Sequence, residues 1–200
     1  MTRSEVVIID SGGANLASLQ FALERLGART HLSREAREIR AAPRVILPGV
    51  GSAGAAMQRL RAAGLTDTLT RLTQPLLGIC LGMQLLYSTS SEGDTACLGV
   101  LPDSVRRLES APGRPVPHMG WNRLEPVRSD PLLEGLAASD YLYFVHSYAA
   151  PVSGATLASA RYGVQLAAVV RQGNFCGTQF HPERSAQAGA RLLANFLRLE

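Results

Sequence analysis

The stretch "PLLGICLGMQLLYS", Pro75 to Ser88, runs from an unbroken apolar segment into a helix-like one, with Cys80 at the join between Gly78 and Gly82. Up to Cys80 the residues are apolar without alternation, the pattern of a strand buried on both faces. Beyond it the spacing predicts a helix over "LGMQLLYS". A nucleophile on a sharp strand-to-helix turn needs small neighbours, because its backbone is strained and closely packed. The position also sets the thiol at a helix N-terminus, whose dipole favours thiolate. The competing reading is a buried structural cysteine, the commoner fate of a free thiol. The two glycines bring the nucleophile level with it.

Working outward, the same strand-then-glycine pattern recurs. "EVVIID" (Glu5 to Asp10) reads as a buried strand followed by a turn, "SGGAN", in which Asn15 is placed to cap the next helix. That helix, "LASLQFALERLG", has Leu16, Leu19, Leu23 and Leu26 at helical spacing and Gly27 as its stop. "RVILPGVG" (Arg44 to Gly51) is a second buried strand ending in a Gly-rich loop, and "AAMQRLRAAG" a second helix. Strands alternating with helices predict an α/β three-layer sandwich: a central, mostly parallel sheet with helices on both faces. From about Leu98 the texture changes. "VRRLES", "NRLEPV" and "YLYFVHSYAA" alternate with Pro and Gly turns, predicting a mixed or antiparallel extension in the C-terminal half. "LAAVVRQGNFCGTQFHPE" reads as a hairpin turning at "RQGN". A final helix falls in "AQAGARLLANFLRLE". No linker or repeat interrupts the chain, so one domain over residues 1–200 is expected.

Composition narrows the chemistry. The chain has 20 basic residues, and every one is arginine. Arginine cannot deprotonate to act as an amine nucleophile. Schiff-base chemistry and a lysine-dependent phosphate loop are thereby excluded. The net charge of +4 is spread along the chain without a basic cluster, which argues against nucleic acid. Three widely spaced cysteines point away from a disulfide framework or a zinc site. No apolar run is long enough to span a bilayer, and the N-terminal one is too short for a signal peptide. A soluble, cytoplasmic protein without membrane contact is expected.

A thiolate needs a base, and the base an orienter. In "GTQFHPERS", His181 follows a strand and Pro182 stiffens the turn. Glu183 is placed to hold the imidazole in one tautomer. Taken alone, His181 is equally a surface turn histidine and Glu183 a helix-start acid. An oxyanion needs backbone N–H donors. Leu81, following the nucleophile, offers one, and "PGVG" (Pro48 to Gly51) offers another or is a plain turn. Of the other histidines, His31 falls in an early strand or its edge. His118 and His146 sit in later segments, where a hydrogen-bonded core or surface role suffices.

"GICLGMQ" joined to "TQFHPE" and "LPGVGS" resembles the class I (triad) glutamine amidotransferases. The resemblance implies L-glutamine as substrate, no cofactor, no metal and a Cys80, His181, Glu183 triad. It implies an oxyanion hole from Leu81 and the Gly49 to Gly51 loop, with Gly51 its donor. Gln84 would face the pocket, and Ser147 and Tyr148 would contact the amino-acid end of glutamine, largely through backbone. "IIDSGGANLASLQFALERLG", "PHMGWN" (Pro117 to Asn122) and "YFVHSY" (Tyr143 to Tyr148) are similar to members in which the glutaminase forms a heterodimer with a (β/α)8 cyclase subunit and passes it ammonia. That places His118, Trp121, Asn122 and Arg184 near the partner, although Trp121 on its own reads as core. The chain departs from the pattern in three places. Ser11 to Asn15 replaces a Tyr-Gly-x-Gly-Asn turn, Ala149 stands where an aromatic is common, and Arg184 where lysine is usual. A glutaminase serving another synthase, such as the pyridoxal phosphate one, is the alternative; a dead scaffold and a cysteine peptidase are more distant ones.

Overall fold

The structure, a computed structural model, describes residues 4–10 and 16–200. The turn expected at Ser11 to Asn15, with its Asn15 cap, lies outside the described residues. The strands in chain order are β1 (Glu5–Ile9), β2 (Arg29–Ser33), β3 (Val45–Gly49), β4 (Leu76–Cys80), β5 (Tyr87–Ser90), β6 (Thr95–Ala96) and β7 (Leu101–Arg107). They continue as β8 (His118–Arg123), β9 (Glu125–Pro126), β10 (Tyr141–His146), β11 (Tyr148–Ala149), β12 (Thr156–Tyr162), β13 (Val164–Gln172) and β14 (Phe175–Thr178). The helices are α1 (Leu16–Arg25), α2 (Ala36–Ala41), α3 (Ala53–Ala62), α4 (Thr66–Thr70), α5 (Leu81–Gln84) and α6 (Ala186–Phe196).

The main sheet has eight strands in the order β2-β1-β3-β4-β14-β13-β12-β9. β2, β1, β3, β4 and β14 run parallel, and the rest continue it antiparallel. Successive strand residues feed opposite faces. Val6, Ile8, Ile46, Leu77 and Ile79 join α1 and α6 in one core; Val7, Ile9, Val45, Leu47 and Leu76 join α2, α3 and α4 in the other. A strand residue without a polar alternate is what this double burial requires. The three-layer arrangement read from the sequence is the one observed. So is the mixed extension: β7, β5, β6 and β11 form a second sheet, and β8 with β10 a two-stranded one. The β13–β14 hairpin turns at Gly173 and Asn174, where Gly173 takes φ +60°.

One element differs. The helix expected over residues 81–88 is a single turn, Leu81–Gln84. Leu85, Leu86 and Tyr87 are buried, and Tyr87 leads into β5, which pairs with β7. Tertiary pairing overrides helical spacing there. With one turn of helix, little dipole remains to favour a thiolate.

Candidate active site

The carboxyl ends of β3, β4 and β14 lie side by side, the usual location of a site in an open α/β sheet. In register, Gly49 sits opposite Cys80. Cys80 has φ +53° and ψ −111°, an unusual conformation for a side-chain-bearing residue. Such strain costs of order 1–3 kcal/mol and is held in place by the surroundings. Those surroundings explain the glycines. A Cβ on Gly82 would lie 1.8 Å from the Leu47 carbonyl oxygen, and one on Gly78 2.6 Å from the Gly82 oxygen. A Cβ on Gly49 would fall 2.6 Å from the Gly82 nitrogen. The turn that lifts Cys80 out of the sheet is packed backbone against backbone, and only glycine fits at all three positions.

His181 Nδ1 lies 2.8 Å from Glu183 Oε1, and its ring hydrogen-bonds Cys80. The His181 carbonyl accepts from the Ser185 hydroxyl at 2.7 Å, and its N–H donates to Tyr143 O at 3.0 Å, so the turn is fixed from both sides. Burial alone would lower the His181 pKa. The hydrogen bonds and charges of Cys80 and Glu183 outweigh it and raise the value to about 10. The imidazole therefore holds a proton at neutral pH, beside the Cys80 sulfur. Glu183 Oε2 is buried with no hydrogen-bond partner among the described residues. By contrast, burial raises the Cys97 thiol to about 11 and the Cys176 thiol to about 12, so neither is a nucleophile at neutral pH.

A cavity of about 460 Å³ opens over Cys80 and includes Gly51, Leu81, Gln84, Ser147, Tyr148 and Glu92. Gly51 has φ +84° and open space where a Cβ would be, so its constraint is conformational and that of Gly49 is steric. Of the two, Gly49 is a close-approach residue and Gly51 is the one left room to turn. Leu81 opens α5, so its N–H has no intrahelical acceptor. Tyr148 O accepts from Gln84 Nε2 at 2.7 Å and from His146 Nδ1 at 2.8 Å. Both its lone pairs are taken, which removes that carbonyl from the expected substrate contacts. A second cavity of about 430 Å³ shares His181, Gly49 and Arg184 and is walled by Leu16, Leu19 and Ile79. A larger one, about 780 Å³ beside Asp130 and Pro131, contains none of these groups.

Two residues of the site were not expected from the sequence. Gln179 is fully buried, donates from Nε2 to Cys80 Sγ at 3.8 Å and accepts from Gln84 at 2.9 Å. Its place two residues before His181 was the available signal. The Glu92 carboxylate accepts the Ala53 N–H at 2.7 Å while lining the cavity, a contact across 39 residues that no local pattern announces. His146 takes the hydrogen-bonded core role expected of it, buried beside the site and bonded to Tyr148.

The four residues expected near a partner divide. Trp121 is 54% exposed and lies edge-on to Tyr143 at 5.8 Å, so it is not core. Met119 and Tyr141 join it on the outer face of β8 and β10. Arg184 stacks 4.5 Å over Tyr143 and has no carboxylate partner among the described residues. His118, however, is 4% exposed, and Asn122 gives both amide hydrogens to His118 Nε2 and Arg161 O. Strand alternation turns both side chains to the inner face, where His118 is buried and Asn122 is half-buried, so the His118 ring does not itself face a partner. Among the described residues, no group of three or more His, Cys, Asp or Glu is arranged to hold a metal, and no helix is long and apolar enough to cross a membrane.

The family profile "Glutamine amidotransferase class-I" matches residues 7–199. The chain is 56% identical over 197 residues to the imidazole glycerol phosphate synthase subunit HisH of Xylella fastidiosa, covering 98% of each. It is 55% identical over 196 residues to the subunit of that name from Xanthomonas axonopodis pv. citri, again covering 98% of each. Among solved structures, a glutamine amidotransferase superposes with TM-score 0.74 at 27% identity over 96% of both chains. PurLQS of Thermotoga maritima superposes with TM-score 0.72 over 98% of both at 18% identity, a likeness of fold.

Proposed function

This chain belongs to the class-I glutamine amidotransferases, and from that premise we propose that it is the glutaminase subunit of an imidazole glycerol phosphate synthase, with Cys80, His181 and Glu183 as its triad. The geometry that carries the triad is the His181–Glu183 contact of 2.8 Å, next to a cysteine held at positive φ. The likeness to HisH over the whole length carries the choice of synthase.

Cys80 attacks the side-chain carboxamide carbon of glutamine. The oxyanion is met by the Leu81 N–H and by an N–H of the Gly49 to Gly51 loop, Gly51 being the residue whose φ leaves it free to turn. His181, already protonated, gives its proton to the departing nitrogen, and ammonia leaves a glutamyl thioester. His181 then takes a proton from water, hydroxide attacks the thioester, and glutamate departs as Cys80 returns to thiolate. Glu183 holds the imidazole throughout. Gln84 has given both amide hydrogens to Tyr148 O and Gln179 Oε1, which leaves its own Oε1 to accept from the substrate. Glu92 has the charge to meet the α-ammonium group.

Ammonia in neutral water becomes ammonium and is no longer a nucleophile, so it must pass directly to its acceptor. The acceptor site belongs to a separate (β/α)8 cyclase subunit in a heterodimer. Met119 and Trp121 expose an apolar face at 62% and 54%, continuous with Arg184 and the two cavities, which suits a partner closing over the site. The chain works as one domain, residues 1–200, in the cytoplasm. The test is glutamate release from glutamine with and without the cyclase and its nucleotide ligand. Release stimulated by the loaded partner is expected; equal release without it marks an autonomous glutaminase.

A further inference from the structure

We propose that Asn122, His118 and His146 form a one-directional hydrogen-bond relay from β8 to the Tyr148 carbonyl, and that this carbonyl, which also accepts from Gln84, positions the glutamine pocket through Gln84 and Gln179 beside the Cys80 sulfur. The proposal rests on the glutaminase reading above.

Its direction follows from groups that cannot change role. Asn122 Oδ1 accepts the Arg123 N–H at 2.8 Å, and Nδ2 donates to the Arg161 carbonyl at 3.0 Å. With the amide so fixed, the second Nδ2 hydrogen points to His118 Nε2 at 3.3 Å. That nitrogen must accept, so His118 carries its proton on Nδ1. Nδ1 lies 3.0 Å from His146 Nε2, which must accept in turn. His146 therefore carries its proton on Nδ1, 2.8 Å from the Tyr148 carbonyl, which can only accept. The asparagine end and the carbonyl end independently require the same tautomers. Any other choice sets two protons or two lone pairs face to face. Burial lowers the His118 pKa to about 4 and that of His146 to about 3, so each ring has a single N–H at neutral pH.

From Tyr148 the chain enters the site. The same carbonyl takes Gln84 Nε2 at 2.7 Å, Gln84 donates again to Gln179 Oε1 at 2.9 Å, and Gln179 Nε2 faces Cys80 Sγ at 3.8 Å. The His118 ring is held between Phe144 and Tyr162, with centroids at 4.9 and 4.0 Å, so it has little freedom to find other partners. Two buried histidines in a core need only be satisfied. These two are satisfied by groups that end on the backbone and side chain lining the glutamine pocket. They are positioning residues, acting through Tyr148 and Gln84.

The test uses the full chain assembled with its cyclase. In the ¹⁵N-histidine-labelled wild type, ring-nitrogen shifts near neutral pH should report Nδ1–H on both His118 and His146; Nε2–H on either overturns the relay. Two variants then separate positioning from packing. His118→Phe keeps the stack and removes the donor, while His118→Asn can place Nδ2 where Nδ1 was. His118→Phe should raise KM for glutamine roughly three- to tenfold, the loss of about one hydrogen bond. His118→Asn should recover most of it, and ammonia-dependent synthesis should be unchanged in both. A wild-type KM in His118→Phe, or no recovery in His118→Asn, overturns the relay while wild-type glutamine hydrolysis keeps the glutaminase reading. Absence of glutamine hydrolysis in the wild-type complex overturns both.

Discussion

The elbow around Cys80 and the β8–β10 hairpin sit on either side of the same cavity, yet they are built in opposite ways. At the elbow the backbone does the work. Gly49, Gly78 and Gly82 meet within a few ångströms, and a single added methyl group collides with main chain. At the hairpin the side chains do it. Alternation sends Met119, Trp121 and Arg123 outward and His118 and Asn122 inward, and the inner set reaches the pocket by hydrogen bonds. A site fixed by backbone contact tolerates almost no substitution. One fixed by side-chain hydrogen bonds should degrade in steps.

The largest effect belongs to the elbow. Cys80→Ala removes the nucleophile and should lower glutamine hydrolysis by at least about 10⁴-fold, with ammonia-dependent synthesis by the complex intact. His181→Ala added to it should change little more, because the two act as a unit. A glutamine-analogue electrophile should label Cys80 alone. Label on Cys97 or Cys176, whose thiols burial raises to about 11 and 12, would overturn the assignment.

Next come two glycines that differ in the cause of their constraint. Gly82→Ala drives a methyl into the Leu47 carbonyl at 1.8 Å and should destabilise the fold by about 3 kcal/mol or more, or prevent folding. Gly51→Ala meets no atom of the described residues within 4 Å and is opposed there only by φ +84°, a penalty of about 1–2 kcal/mol. Its melting temperature should fall little while partner-stimulated activity falls much more. Equal losses of stability and activity in Gly51→Ala would make that loop a structural turn.

This contrast also decides what could be read without coordinates. The parallel core, the elbow and the His181–Glu183 pair are local: buried β-branched runs, glycines beside a cysteine, and two contacting residues only two positions apart. Each leaves a mark within a dozen residues. The helix over residues 81–88 was misread because its second half is claimed by pairing with β7, a partner in another part of the chain. His118 was misplaced because a motif says where a strand lies and not which of its faces is buried. Gln179 and Glu92 act across 99 and 39 residues, and no periodicity encodes such a contact. Trp121 shows the reverse: burial is the ordinary fate of tryptophan, and alternation along β8 overrules it.

The two regions should also titrate in opposite directions. His118 and His146 have folded pKa values lowered from 6.5 to about 4 and about 3. Their contribution to stability is complete above about pH 6.5 and is lost as the pH falls through those values, because the unfolded chain then binds protons the native one refuses. His181 is raised from 6.5 to about 10, so its contribution is complete below 6.5 and is lost as the pH rises through about 10. Denaturant midpoints measured from acid to base should show a weakened hairpin limb in acid and a weakened elbow limb in base. His118→Phe should flatten the acid limb only, and His181→Ala the alkaline limb only. An acid limb unmoved by His118→Phe would place the titrating groups elsewhere.

The smallest effect is expected at Arg184, where the two regions touch. It follows Glu183 directly, yet its guanidinium lies 4.5 Å over the ring of Tyr143 on β10, which in turn meets Trp121 at 5.8 Å. An exposed cation–π contact of this kind contributes about 0.5–1 kcal/mol, so Arg184→Ala should barely move the melting temperature. A carboxylate on the cyclase would find this guanidinium planar and free to bind in a bidentate manner, a geometry that lysine cannot reproduce. If that pair is buried in the complex, truncation should weaken association by about 2–5 kcal/mol; if it stays wet, by less than about 1 kcal/mol. Because Arg184 also borders both cavities, loss of the pair should uncouple the subunits, so that glutamate released exceeds ammonia used. Arg184→Lys separates charge from shape: it should keep the charge and lose the stack on Tyr143. The dissociation constant and the glutamate-to-ammonia ratio check this together. If both are unchanged in Arg184→Ala, the side chain is only solvated and stacked, and Trp121 with Met119 must carry the hairpin's share of the contact.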